Sequence, residues 1–455
     1  MNFFDKNIYF IGIGGIGMSA IARFFKVNGC FVAGYDLTET PLTNELEKEG
    51  IPVHFSDELN LIPVEILENQ ENSVIIYTPA IPKSHKQFNF LKEKNYKIYK
   101  RAQVLGLLSK NHKTIGIAGT HGKTTISSIV AHIFKQNNKL NAAFVGGILK
   151  NYKSNLVLGE KNENNWLILE SDEFDRSFLN FSPNIALISA VDEDHLDIYE
   201  NKVNLIEAFE KFASQTSQIV VTNQKVNVNL ASNLKTFKYG IKEGNDFFAE
   251  NCKIEDGKQI FDIVYPEGIC ENISLKLPGK VNIENTIAAF SVAFWAGINP
   301  ENIKKSIATF EGIERRFDLI LENDRYIYIN DYAHHPEEIE RLREAVEQFY
   351  PNRKITAIFQ PHLFSRTKDF TDGFAKSLEK FDEILLMDIY PAREIPIEGV
   401  TSKIIFDKIN NENKEMCNFE NIINKLKNKD KDILLTIGAG SIVNLVEKIT
   451  TILES

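Results

Sequence analysis

Three times along this chain, short apolar runs rich in β-branched residues alternate with stretches of helical spacing, and that alternation leaves few architectures open. IYFIGIGG leads into IGMSAIARFFKVNG, then CFVAGYDL and later SVIIYTPAI. A second series starts at KTIGIAGT and passes through AAFVGG, WLILESDE and IALISAV to QIVVTN, and a third runs from YIYINDYA through KITAIFQP and EILLMDIYPA to DILLTIGAGS. Strands separated by helices are joined by crossovers, and crossovers give parallel sheets covered by helices. The fold class is therefore α/β. A chain of 455 residues is too long for one hydrophobic core, so each series is assigned its own domain: 1–105, 106–310 and 311–455. Between Asp246 and Leu277 the pattern shortens to strands and turns, which predicts an antiparallel annex to the second domain. The Lys- and Asn-rich stretch from Asn410 to Lys431 reads as a solvated helical face.

The loops between these runs carry the chemistry. Gly12-Ile13-Gly14-Gly15-Ile16-Gly17 follows a strand and opens a helix, and Asp36 stands at the end of the next strand. Glycines there let the backbone approach a diphosphate, while the helix start supplies amide donors and a positive dipole end. Gly12, Gly14, Gly15, Gly17 and Asp36 are thus candidates for binding a nucleotide diphosphate. Gly119-Thr120-His121-Gly122-Lys123-Thr124-Thr125 lies between a second apolar strand and a helix expected to begin near Thr125. Its Gly-Lys-Thr core is phosphate-loop chemistry: amides cradle the phosphates of ATP, Lys123 reaches the terminal ones, and the Thr124 hydroxyl meets Mg²⁺. The strict spacing fails, since the first glycine of the usual pattern falls on Ile117.

Glu170-Ser171-Asp172-Glu173-Phe174-Asp175 emerges directly from the apolar run WLIL, at the strand end where parallel sheets bind ligands. A charge run usually forms a solvated turn, and only Glu170, which leaves the strand first, is singled out. His195 follows IALISAV at the equivalent edge one strand later, so Glu170 and His195 make a candidate site for a second divalent ion. The third series contributes Arg315-Arg316-Phe317-Asp318, Asp331-Tyr332-Ala333-His334-His335-Pro336 and Gln360-Pro361-His362-Leu363-Phe364-Ser365-Arg366-Thr367. Arg316 and Arg366 read as clamps for carboxylate or phosphate, because guanidinium forks match those anions bidentately. A metal pair at His334 and His335 is disfavoured, since no third ligand has suitable spacing.

The formal charge of −10 argues against a nucleic-acid partner. The four cysteines form no CxxC pair, no basic leader precedes the first strand, and no apolar run reaches the roughly 18–20 residues of a membrane helix. A cytoplasmic protein without membrane insertion is expected, as a monomer or a homodimer.

Taken in order, GIGGIGMSAIA, GTHGKTT, ESDEFDRSFL, EDHLD, PG-x-x-N-x-x-N, ERRFD, DYAHHP and QPHLFSRT resemble the Mur ligases along nearly the whole chain, and the first and last two strings resemble their alanine-adding branch. The resemblance implies a Rossmann-like N-terminal domain that holds a UDP-sugar, a central phosphate-loop ATPase domain, and a Rossmann-like C-terminal domain that binds the incoming amino acid. It implies that Lys123 and Thr124 meet the ATP phosphates and Mg²⁺, that Glu170 and His195 hold a second Mg²⁺, that Asn285 touches the adenine, and that Asp331 touches the ribose. Two positions depart from the family: Val281 where a His is usual, and Ser441 where an acid is frequent. The implied activity is ATP-dependent ligation of L-alanine to the carboxylate of UDP-N-acetylmuramate through an acyl phosphate, in peptidoglycan synthesis. The alanine amine must arrive deprotonated, near His195 or His335, and water has to be kept from the acyl phosphate, so the third domain is expected to close before transfer.

Within this fold, a ligase acting on a recycled peptide or on folate is the nearest rival, and an NAD-dependent oxidoreductase using the first glycine loop is the rival from another class. A nucleotide-switch protein without synthetic activity is a third. A dehydrogenase has no use for a second phosphate loop or a third α/β domain. UDP and UDP-N-acetylmuramate should therefore raise the thermal midpoint while NAD and NADP leave it unchanged. Gly14→Val should abolish the UDP shift and spare ATP binding; stabilisation by NAD, with cofactor reduction by a hydroxy acid, would restore the oxidoreductase reading.

Overall fold

The computed structural model describes residues 3–79, 81–192, 199, 201–392, 394–427 and 432–454. It contains three sheets built largely from parallel strands. In the first, all strands run parallel in the spatial order Val53–His54, Phe31–Tyr35, Asn7–Ile11, Ser73–Tyr77, Lys97–Lys100. The chain adds strands on one side of Asn7–Ile11 and then returns on the other, so a switch point opens at the carboxyl end of that strand, where Gly12 lies. The second sheet has the order Lys235–Tyr239, Ile219–Asn223, Ile185–Ile188, Lys113–Ala118, Trp166–Ser171, Leu140–Leu149, Ser154–Leu158, with only the last pair antiparallel. Its switch point falls at Ala118, immediately before the second glycine loop. Phe248–Glu255, Lys258–Tyr265 and Gly268–Leu275 make a separate three-stranded sheet.

The third large sheet has the order Asp318–Glu322, Ile327–Asp331, Ile433–Ile437, Ile355–Phe359, Glu383–Met387, Lys414–Cys417, antiparallel only at its first pair. Strand Ile433–Ile437 lies between the two strands that lead into the His-rich loops. The stretch expected to be a solvated helical face differs: Lys414–Cys417 is a sheet-edge strand, and Ile422 and Leu426 are buried. Widely spaced apolar residues among Lys and Asn are enough to cover one sheet edge, and composition alone hides them.

By its contacts the chain forms two compact units. One comprises residues 1–252, 260–274 and 283–310, the other 253–259, 275–282 and 311–455. Within the first unit, one continuous core runs from the first sheet into the second, taking in Ile8, Phe24, Val74, Phe144, Leu169 and Ile188. The joint is the helix Ile16–Val27, eight of whose twelve residues are buried. Phe24 meets Phe144 edge-on with centroids 5.3 Å apart. Beside it, Arg23 grips the Glu49 carboxylate through Nε and Nη2 at 2.8–3.0 Å and donates through Nη1 to Asn155 Oδ1 at 2.7 Å. In the second unit, the third sheet is covered on both faces by separate apolar clusters. Among the described residues no helix is long and apolar enough to cross a membrane.

The helix after the second glycine loop runs from Lys123 to Gln136, two residues earlier than expected, because Gly122 sits in the left-handed region at φ +83° and ends the loop at once. Its far end buries His132. Thr309 spends its hydroxyl proton on Ser306 O at 2.9 Å, so His132 Nε2 must be the donor to Thr309 Oγ1 at 2.9 Å. His132 Nδ1 then accepts from Tyr152 Oη at 2.8 Å. The neutral ring is the form these partners want, and burial pushes its pKa down to about 4. The native state thus resists protonation while the unfolded chain takes a proton near pH 6.5, so stability is full above that value and is lost as pH falls toward 4. His132→Gln should remove this component. Between pH 6.5 and 4 the wild type should lose about 3 kcal/mol more than the variant in urea titrations, and parallel losses would refute the burial effect.

Candidate active site

The second glycine loop is shaped by its neighbours before any ligand arrives. Ile117, which occupies the position of the missing glycine, is a buried strand residue paired with Glu170 and Leu187, so the loop is shorter than the usual phosphate loop and begins at Gly119. Gly119 has φ +135°, and a Cβ there would lie 2.2 Å from Ser189 Oγ. Thr120 N donates to Ala190 O at 3.0 Å, and Asp192 N donates to Thr120 Oγ1 at 3.1 Å. The ring of His121 lies 3.7 Å from the Asp192 carboxylate. Asn285, expected against the adenine, is buried with its Oδ1 2.9 Å from where a Cβ of Gly122 would be, so it covers the loop itself.

Two acids of the run 170–175 turn toward this loop. Glu170 Oε1 accepts from Thr124 Oγ1 at 2.8 Å, and Oε2 accepts from Ser127 Oγ at 3.1 Å and Gly146 N at 2.6 Å. Glu173, which composition assigns to solvent, is fully buried and receives Lys123 Nζ at 2.7 and 2.9 Å. Burial opposes the charge on Lys123, but Glu173, Asp172 and Glu170 outweigh it and hold the ammonium above its ordinary pKa. Asp172 and Asp175 point the other way, toward Arg101 at 3.7 Å and Lys100 at 2.8 Å. No compositional signal separates Glu173 from its neighbours; only the backbone path does.

The first glycine loop stands across a cavity of about 170 Å³ from this cluster, lined by Ile16, Gly17, Arg101, Gly146, Glu170 and Asp172 among others. Gly12, at φ +87°, lies so close to Thr78 that a Cβ would come within 2.4 Å of its methyl group, and a Cβ on Gly14 would come within 2.9 Å of Asp36 Oδ2. Asp36 already accepts from Gly14 N at 2.7 Å and Leu37 N at 2.8 Å, so its carboxylate clasps the loop from within. Arg101 lies against Gly17, where a side chain would displace its guanidinium. The sequence reading passed over Arg101, whose neighbours Lys100 and Ala102 give it no motif.

In the second unit, three adjacent strand ends gather the remaining candidates. Asp331 accepts from Phe317 N at 2.6 Å and Ala333 N at 2.8 Å, anchoring the Arg-Arg-Phe-Asp turn, and burial raises its carboxyl to about 6. Arg315, rather than the exposed Arg316, reaches the carbonyls of Gly438 and Gly440 at 2.9 and 3.3 Å. Ser441 lies within reach of the Gln360 amide at 3.3 Å. His335 caps the helix Pro336–Phe349 and packs edge-on to Phe370. His334 instead neighbours His362, with ring centroids 6.1 Å apart, and His362 stacks on Tyr390 at 5.8 Å. Burial, with His334 and Arg366 adding to it, holds His362 down to about 4, and burial also lowers His334 against the opposing Glu338, so both rings favour the neutral form. Of the histidine pair, His335 caps the helix, while His334 shares its surroundings with His362 and Arg366.

A hard divalent cation suits what the first unit offers. Thr124 Oγ1 and the Glu170 carboxylate are both oxygen donors and already touch, matching an ion that keeps several waters and takes few protein ligands. Among the described residues no group of three or more His, Cys, Asp or Glu side chains gathers at metal-ligating distance, and His195 lies outside them.

Three family models match the chain end to end: "Mur ligase family, catalytic domain" over residues 7–113, "Mur ligase middle domain" over 117–293, and "Mur ligase, glutamate ligase domain" over 315–440. The chain is 45% identical to a UDP-N-acetylmuramate–L-alanine ligase of Christiangramia forsetii, covering 98% of this chain and 97% of that protein. It is 46% identical to the protein of the same description from Flavobacterium johnsoniae, covering 99% and 98%. A solved UDP-N-acetylmuramate-alanine ligase from Thermotoga maritima superposes with a TM-score of 0.83 at 27% identity over 98% of this chain and 99% of that one. With three consecutive family domains, full-length relatives above 40% identity and this fold, the chain belongs to the Mur ligase family.

Proposed function

We propose that this chain joins the amine of L-alanine to the carboxylate of UDP-N-acetylmuramate, driven by ATP, as a step of peptidoglycan synthesis in the cytoplasm. The observation that carries the reading is the cavity running from Ile16 and Gly17, at the end of the first glycine loop, to Glu170, whose carboxylate accepts from Thr124 of the phosphate loop, all within one compact unit. The full-length relatives named for that reaction support the same assignment. Residues 1–105 are assigned to the UDP-sugar, 106–310 to ATP and 311–455 to the amino acid.

A carboxylate resists attack by an amine, so its oxygen first attacks the γ-phosphorus of ATP and ADP leaves. The alanine nitrogen then attacks the acyl carbon, and phosphate departs with the bonding electrons. Lys123 neutralises charge on the transferring group, and the amides of Gly119 to Thr125 cradle the phosphates. Thr124 and Glu170 would hold Mg²⁺, which supplies positive charge at the phosphate oxygens when bound, with His195 as a further ligand. Arg101 and the glycines Gly12, Gly14, Gly15 and Gly17 hold the diphosphate side of the sugar nucleotide. Arg366 takes the alanine carboxylate, and the amine loses its proton near His195 or His335. Asn285 and Asp331 are assigned to the nucleoside of ATP.

Phosphate release from ATP should require UDP-N-acetylmuramate and be fastest with L-alanine. Equal rates with a tripeptide in place of alanine would move the chain to the recycling branch. Glu170→Gln removes an ionised oxygen donor and should raise the Mg²⁺ concentration for half-maximal rate at least roughly tenfold, with His195→Ala acting in the same direction. An unchanged Mg²⁺ dependence in both variants would remove the proposed ion site.

A further inference from the structure

The Lys123 ammonium is already engaged inside the protein, by Gly119 O at 2.7 Å and by both oxygens of the Glu173 carboxylate, Oε2 at 2.7 Å and Oε1 at 2.9 Å. To meet several phosphate oxygens with its three N–H donors, Lys123 has to exchange some of these contacts. Glu173 is unsuited to follow it by moving, since the side chain is wholly buried and its carbonyl is held by two donors. Tyr199 Oη donates to Glu173 O at 2.6 Å, and Arg176 N donates to the same carbonyl at 2.9 Å. Two and three residues on, Asp175 and Arg176 hold φ +53°, a conformation that side chains rarely adopt, and Lys100 pins Asp175 from the outside. The acid run is thus folded so that Glu173 alone faces Lys123 while Asp172 and Asp175 face away.

We propose that Glu173 is a positioning residue for the phosphate-loop lysine: it retains one hydrogen bond to Lys123 while the other two N–H donors pass to phosphate oxygens, and so fixes where the ammonium stands as the γ-phosphoryl group transfers. The inference rests on the reading of Lys123 as an ATP ligand. A charge placed by a rigid carboxylate needs no reorganisation when phosphoryl charge develops, which is where such a contact contributes most. In the ground state the same carboxylate lies near the triphosphate and repels it, so the two effects fall on different constants. A pair that merely staples the loop would instead lower binding and turnover together.

The test uses the full-length chain with Glu173→Gln, Lys123→Ala and the double variant. Each is assayed for equilibrium binding of a non-hydrolysable ATP analogue with Mg²⁺, and for turnover with UDP-N-acetylmuramate and L-alanine. Glu173→Gln should bind the analogue at least as tightly as the wild type, which also reports that it folds, and turn over on the order of a hundredfold more slowly. The double variant should be no slower than Lys123→Ala, because Glu173 acts through that lysine. Weakened analogue binding that tracks the loss of turnover, a further loss in the double variant, or wild-type turnover in Glu173→Gln would each overturn the proposal. Normal turnover in Lys123→Ala would instead sink the ATP assignment beneath it, so the two failures are distinguishable.

Discussion

Burial of the helix Ile16–Val27 on more than one side sets the spacing of the candidate site. Its start carries the Gly12–Gly17 loop, and its body packs into the same core as the strands that carry Gly146 and Glu170. Phe24 against Phe144 and Arg23 on Asn155 make the loop and the acid strand end parts of one rigid body. Interiors packed at crystal density do not stretch continuously, so the cavity between Gly17 and Glu170 keeps its width. A diphosphate held at one wall then presents the rest of its molecule at a fixed distance from Glu170 and Thr124. The alternative, two domains joined only by a linker, would have to rebuild that distance at each encounter.

Where function constrains the backbone, the sequence announces it. Gly12, Gly119 and Gly122 take positive φ or near-contacts that other residues would not tolerate, and their spacing between an apolar run and a helix could be read directly. The parallel sheets were legible for the same reason, since crossovers leave a period that alternates along the chain. Side-chain direction is a different matter. Glu173 and Asp172 are neighbours of one chemical type, and whether either faces in depends on a left-handed turn at Asp175 and Arg176 that no glycine or asparagine marks. The same holds for His334 and His335: both follow the same strand, and only the path into the helix Pro336–Phe349 makes one of them its cap. Ile117 illustrates the converse, where a failed spacing rule reflected a strand that runs two residues further before the loop opens.

The electrostatics of the two units differ in kind. Around Lys123, charge is kept and paired: carboxylates offset the cost of burying an ammonium, so a full positive charge waits at the phosphate loop. Around His334 and His362, charge is withheld, because burial and the nearby arginine favour neutral rings. On the proposed role of Lys123, phosphoryl transfer needs a cation that stays charged throughout, and the carboxylates around the lysine favour that charge.

The internal pairing of Lys123 also bears on how tightly ATP can be held. On the proposed role of Lys123, an ammonium already held by Glu173 and Gly119 gains only the difference between a phosphate contact and the contact it gives up, so it contributes less to ground-state affinity than an unpaired cation would. The balance shifts when phosphoryl charge builds toward the transition state, since the oxygens around the γ-phosphorus then attract the ammonium more strongly while Glu173 is unchanged. Interactions that strengthen only at that point raise the rate rather than the binding constant. A buried acid beside a phosphate loop, which costs affinity in the resting state, is in this sense a device that defers the lysine's contribution to the step where it accelerates the reaction.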